Sequence, residues 1–318
     1  MKMKADRHTV LVGGKRLELS RLNKVLWPEA GLTKADLIAY YWQIAPRLLP
    51  HLYKRPLTLT RYPDGIEEGM FYQKDTPSYA PDWLKTYRVV SDDSREIRYL
   101  LAEDEATLVW LANQAAIELH PWMSTTDHPD YPSYAVVDLD PATGAEFGDV
   151  VEIAGLVRVL LQELGLKGYP KLSGASGIHI YIPLWPRYPY RLTSRFVGYL
   201  GELIVKAYPQ KATNERLVAK RDGKVYIDHL QNLPGKTIVA PYVPRPLPHA
   251  PVSVPVEWEE LIVTGSGRGV QPHDFTLADI KVILARPPLF EQMYQAPQSL
   301  DKIMPLFAAG EKEGQKVH

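Results

Sequence analysis

The chain has 318 residues, 45% of them hydrophobic, enough to bury a substantial core, and no run approaches the roughly 20 apolar residues that span a bilayer. The absence of cysteine excludes disulfides, thiolate catalysis and Cys-ligated zinc, so a metal would sit on carboxylates, histidines or carbonyl oxygens, the ligands of hard ions such as magnesium and manganese. The 37 basic and 37 acidic residues cancel, so any polyanion has to be met by local charge.

The opening MKMKADRHTV lacks the apolar core of a secretory signal, which predicts a soluble cytoplasmic protein with no membrane partner. From Met1 to Lys34 the cations Lys2, Lys4, Arg7, Lys15, Arg16, Arg21, Lys24 and Lys34 outnumber Asp6, Glu18 and Glu29. Thr33 followed by Asp36 forms an N-cap box, and Leu37, Ile38, Tyr41, Ile44 and Leu48 recur at helical spacing, predicting an amphipathic helix from Thr33 to Leu49. Arg55-Pro56 opens a strand, LTLTRYP, that ends at the turn Pro63-Asp64-Gly65, and Phe71 to Lys74 predicts the next strand. Glu103 to His120 reads as a helix with Leu108, Leu111, Ala112, Ala115 and Leu119 on one face; Pro121 stops it and His120 sits at its end.

Ser133 to Asp140 is a run of strand formers closed by Pro141, and a helical pattern from Val150 to Leu164 follows, ending at Gly165. Strands Ile178 to Leu184 and Lys224 to Leu230 flank a helix from about Ser194 to Tyr208, so this half is mixed α/β. Lys206, Lys211, Arg216, Lys220, Arg221 and Lys224 make a second basic run, which a solvated face explains as readily as phosphate contact. Beyond Val239 the prolines 241, 244, 246, 248, 251 and 255 predict an extended, semi-rigid segment. With no repeat and no flexible linker, residues 10–300 are expected to form one domain, with 1–9 and 308–318 as flexible tails.

The chemistry concentrates in three places. In YAVVDLDP, Asp138 and Asp140 are two apart on a strand and emerge on one face, and a divalent cation would relieve their repulsion. Asp228 closes the strand KVYID as a third carboxylate or as a strand-end cap. Between them, in SGASGIHIYIPL, the small residues Ser173, Gly174, Ser176 and Gly177 suit backbone approach to phosphate, and His179 and Tyr181 share one face of the strand.

These motifs resemble the archaeo-eukaryotic primase superfamily, and within it the polymerase module of the bacterial end-joining ligase D, from about Lys15 to Gly265. LNKVLWP, RPLTLTRYPDGI with MFYQK, IELHPW and APYVPRPLPHAPVSVPVEWEEL are similar to further segments of that family. The resemblance implies a primase-type α/β (α+β) core, a mixed or antiparallel central sheet flanked by helices. It implies two Mn2+ or Mg2+ ions on Asp138, Asp140 and Asp228, which are thus the catalytic residues. The nucleotide, NTP or dNTP, would be met by His120, Ser173, Ser176, His179, Lys236 and Arg245. Asn23, Lys24 and Lys34 would grip the phosphate at a gap, and Phe71 with Lys74 would meet the template, although core packing suits Phe71 equally.

Two positions depart from the family pattern: Ser176 stands where lysine is expected and His229 where tyrosine is usual, which bears on triphosphate affinity more than on reaction type. The implied activity is a primer-extending, gap-filling polymerase of non-homologous end joining. Its implied substrates are DNA ends or gapped duplexes with a 5′-phosphate, and its implied partners are separate Ku and DNA ligase proteins. A glycosyltransferase with an Asp-x-Asp site would leave Asp228 and the lysines unexplained, and an inactive end-binding module would not need the three aspartates.

Overall fold

The chain opens with a hairpin of β1 (Arg7–Val12) and β2 (Lys15–Ser20), turned by Gly13 and Gly14 at φ of 52° and 78°, where a side chain would be strained. Val12, Leu17 and Leu19 bury one face of it, while Arg7, Arg16, Glu18 and Ser20 share the other. Residues 7–9, expected in a tail, are thus part of a strand. The computed structural model of the protein describes residues 7–90, 94–263 and 268–307, so the expected C-terminal tail lies outside the described residues. Two units are distinguished: Met1–Asp127 with Thr237–Val254 and His273–Pro288, and His128–Lys236 with Pro255–Pro272 and Leu289–His318.

In the first unit β3 (Val25–Trp27) and β4 (Leu32–Thr33) lead into α1 (Lys34–Leu52), whose N-terminus carries the expected reciprocal cap between Thr33 and Asp36. Pro46 and Pro50 lie inside α1; the helix persists because Leu37, Tyr40, Tyr41, Ile44, Ala45, Leu48 and Leu52 are buried along its length. The Tyr41 hydroxyl donates to Ile117 O at 2.8 Å and that of Tyr40 to Tyr242 O at 2.8 Å, so both phenols reach a partner inside the core. β5 (Leu57–Arg61), β6 (Phe71–Gln73), β7 (Thr86–Val90) and β8 (Glu96–Leu100) form an antiparallel sheet in the order β6-β5-β8-β7.

The expected helix from Glu103 to His120 is two elements. Asp104 caps α2 (Glu105–Asn113) by accepting from Thr107 N at 2.9 Å, and Ala115 at φ 53° turns the chain out of the helix. The rest is β9 (Ala116–Pro121), antiparallel to β5, so His120 lies in a strand opposite Thr58 and not at a helix end. Apolar residues at helical spacing misled here because Ala116, Ile117 and Leu119 are all fully buried in the strand.

The second unit is built on β10 (Tyr134–Pro141), α3 (Phe147–Glu163), β11 (Tyr169–Leu172), β12 (Ile178–Pro183), α4 (Tyr190–Ala207), β13 (Ala212–Thr213) and β14 (Val225–Asp228). The sheet order is β11-β12-β10-β14-β13, antiparallel except for the β13–β14 pair, which agrees with the expected mixed sheet. Both helices pack on it: Leu161 of α3 and Ile180 of β12 close on Gly168, and Ile227 of β14 lies beside Gly201 of α4. Alternation along each strand therefore sends the neighbours of Ile180 and Ile227, His179 and Asp228, to the face away from the helices.

Candidate active site

Register assembles the carboxylates. Asp138 in the central strand is opposite His179 of β12 on one side and Asp228 of β14 on the other, and Asp140 follows two residues along on the same face. Residues directly opposite across a strand pair have Cβ atoms about 4.5–5.5 Å apart, so three ionisable groups abut without help from any loop. The row extends to Lys171 of β11, which pairs with His179, is fully buried and carries its ammonium 5.8 Å from the Tyr181 ring. Asp138 is buried, with Oδ1 3.3 Å from His179 Nε2.

Asp228 serves as the strand-end cap that the sequence left open: its Oδ1 accepts from Leu230 N at 2.7 Å and from the Tyr226 hydroxyl at 3.3 Å. Burial and the Asp228 charge push the Tyr226 phenol up to about 12, which keeps it a donor. Among the described residues no three His, Asp or Glu side chains converge closely enough to share an ion. The donor chemistry nevertheless fits hard divalent cations, since opposed carboxylates on one sheet face repel until a cation neutralises them.

The loop before β12 is shaped by Ser173, whose Oγ accepts from Ala175 N at 3.1 Å and Gly177 N at 3.0 Å, while Ser173 N donates to Gly177 O. Gly177 is dictated by space: a Cβ there would sit 2.3 Å from Leu139 O and 3.3 Å from Asp140 Oδ1. The loop is thereby laid against Asp140, with Ser173 buried and Ser176 exposed. Lys236 is exposed beyond β14. His229, which follows Asp228, turns to α4, where its Nδ1 lies 3.2 Å from Ser194 Oγ.

Sequence reasoning missed Asn232. Its Oδ1 accepts from Val136 N and its Nδ2 donates to Val136 O, both at 2.8 Å, so a side chain replaces a strand neighbour and ties the segment after Asp228 to β10. An amide four residues past an aspartate carries no signal in the sequence that would have revealed this.

In the first unit His120 and Arg245 meet at buried Glu118: Arg245 Nε donates to Oε1 at 2.8 Å, and His120 Nε2 lies 3.4 Å from Oε2. Burial alone would raise the Glu118 carboxyl, but the His120 and Arg245 contacts prevail and bring it down to about 2. Phe71 is exposed, not core, with the Arg61 guanidinium stacked 5.0 Å from its ring centroid; Lys74 is exposed too.

A cavity of about 730 Å³ in the same unit is lined by Lys24 and Lys34 together with Arg21, whereas Asn23 is exposed and is not among its lining residues. Lys34 is the most buried of these cations; burial, with Arg21 and Lys24 nearby, lowers its ammonium to about 8. Lys24 also pairs with Asp64.

The family described as "LigD, primase-polymerase domain" matches residues 33–286. The chain is 38% identical over 247 residues to a bifunctional non-homologous end joining protein LigD from Bacillus subtilis, covering 77% of this chain and 39% of that protein. It is 36% identical over 248 residues to a multifunctional non-homologous end joining protein LigD from Mycolicibacterium smegmatis, covering 77% of this chain and 32% of that protein. The chain thus spans about a third to two-fifths of these relatives. Among solved structures it is similar to the polymerase domain from Mycobacterium tuberculosis ligase D in complex with DNA, with a TM-score of 0.80 and 30% identity over 89% of this chain and 99% of that one. No helix among the described residues is long and apolar enough to cross a membrane. By family match, identity and fold together, the chain belongs to the LigD primase-polymerase domain family.

Proposed function

We propose that this chain is a primer-extending, gap-filling nucleotidyltransferase that adds ribo- or deoxyribonucleotides to DNA ends during non-homologous end joining, acting together with Ku and a DNA ligase activity. The observation that carries it is the register that sets Asp138 opposite Asp228 with Asp140 on the same face. Family membership and the likeness to a DNA-bound polymerase domain support it.

Asp138, Asp140 and Asp228 would hold Mn2+ or Mg2+; such ions, when bound, supply Lewis acidity and neutralise phosphate charge. In the reaction the 3′-oxygen of the primer bonds to the α-phosphorus as the bond to pyrophosphate breaks. His179, 3.3 Å from Asp138, holds that carboxylate in orientation, and the Ser173 and Ser176 hydroxyls meet the phosphates, with the loop held in shape by the amides that Ser173 Oγ accepts from. Lys236, which is exposed, supplies a cation to the same phosphates, and the assignment of His120 and Arg245 to the nucleotide rests on the family motifs. Phe71 and Lys74 suit a template strand by stacking and phosphate contact, and Lys24, Lys34 and Arg21 suit a 5′-phosphate.

The test is extension of a labelled primer on a gapped duplex with a downstream 5′-phosphate, with manganese or magnesium and either nucleotide type. Activity that disappears in an Asp138→Ala plus Asp140→Ala variant supports the proposal; undiminished activity in that variant, or none in the wild type, refutes it.

A further inference from the structure

The hairpin β1–β2 precedes the matched family range and contributes a wall to the cation-lined cavity. Its polar face carries Arg7 and Arg16 to that wall, and the lining there includes Arg21, Lys24, Lys34 and Arg61, with Glu18 the one acid among the described lining residues and Asp64 paired with Lys24. Arg7 and Glu18 approach no closer than 3.5 Å and are well exposed, so their pairing leaves the guanidinium accessible to a stronger anion. Arg61 is already engaged with Gln73 and Gln114 and stacked on Phe71, so it is fixed in place.

A volume of about 730 Å³ lies within the roughly 300–1,000 Å³ of sites that enclose whole small molecules, far beyond the need of one phosphate group. Lys24, Lys34 and Arg21 suffice for a terminal dianion, which leaves the two hairpin arginines without a role in holding it.

We infer that the hairpin grips the downstream strand one nucleotide beyond its 5′ end: Arg7 and Arg16 take the first internal phosphodiester while Arg21, Lys24 and Lys34 hold the terminal phosphate. This rests on the polymerase reading above and extends its substrate from a phosphorylated end to an end with a continuing strand. The hairpin contact is to backbone, so it carries no base preference.

The experiment measures binding to gapped duplexes, without nucleotide, at several salt concentrations, for wild type, Arg7→Ala/Arg16→Ala and Arg7→Lys/Arg16→Lys. The alanine variant is expected to bind several-fold more weakly, with the slope of log K against log salt reduced by about 0.9 for one lost phosphate contact. Its preference for 5′-phosphate over 5′-hydroxyl is expected to stay, and the lysine variant to retain most of the affinity. A neutral methylphosphonate at the first internal linkage should weaken wild type equally and the alanine variant no further. An unchanged slope, additive losses, or a lost phosphate preference would overturn the inference. Wild type that extends primers while the alanine variant binds normally sinks this inference alone. Wild type that binds gaps but never extends sinks the polymerase reading alone, and wild type that binds no gapped DNA sinks both.

Discussion

Replacing Gly177 with alanine tests how the loop before β12 governs the carboxylate site. A Cβ at 2.3 Å from Leu139 O, itself in the central strand, has to be relieved by shifting backbone by about 1 Å, because that oxygen belongs to the main chain and cannot swing aside as a side-chain end would. Overpacking of this kind costs about 1–3 kcal/mol. The shift moves the loop from Asp140, whose Oδ1 stands 3.3 Å from the same Cβ position. Misplacement of catalytic groups by about 1 Å can lower rates by about 100-fold. Steady-state extension should therefore show kcat/KM for the nucleotide falling by one to two orders of magnitude, while DNA affinity measured without nucleotide is kept. Gly148→Ala, on α3 with nothing within 4 Å, is the matched control and should leave activity unchanged without lowering thermal stability, since alanine is the better helix former. If Gly177→Ala melts and turns over like the wild type, the close-approach argument is wrong.

Three further outcomes are expected. Asn232→Ala leaves Val136 N and O without their partner and should lower stability by about 1–3 kcal/mol in chemical denaturation, with Asn232→Asp no better because it cannot donate. Glu118 has a carboxyl held below its unfolded range, so its stabilising share is present above about pH 4.5 and is lost as pH falls towards about 2; Glu118→Gln should cost on the order of 3 kcal/mol at pH 7 and flatten that acid limb in thermal melts. For Lys34, lowered to about 8 and so charged only below it, preference for a 5′-phosphate over a 5′-hydroxyl gap should decline between pH 7 and 9 in binding assays, and Lys34→Met should abolish that pH dependence. The same lowering has the opposite sign for folding, where the stability penalty of the buried cation is relieved as pH rises from about 8 towards 10.5.

What the sequence made legible followed from period and punctuation. The alternation of YAVVDLDP and KVYID marked two strands with aspartates at their ends, and Thr33 with Asp36 marked the start of α1. What it hid was set by tertiary choice. Ala116 to Pro121 has helical periodicity but is a strand, because burial on both faces removes the alternation that identifies one. Which strands neighbour one another, and hence that Asp138 meets Asp228, depends on sheet order, which local pattern does not encode. That Arg21 joins Lys24 and Lys34 in lining one cavity was likewise hidden, because local pattern does not say which loop side chains converge. Exposure of Phe71 was equally invisible, since an aromatic on a short edge strand satisfies either role.

The row Lys171, His179, Asp138 and Asp228 is held by backbone pairing across four strands, so its spacing is quantised. Insertions in surface loops leave it untouched, whereas slipping any one strand by a single residue turns its ionisable group to the helix-covered face and brings in a sequence neighbour, apolar in every case but His229 beside Asp228. Failure of this site through the sheet is therefore all or none, and graded changes in activity have to arise from the loop and side chains that surround it.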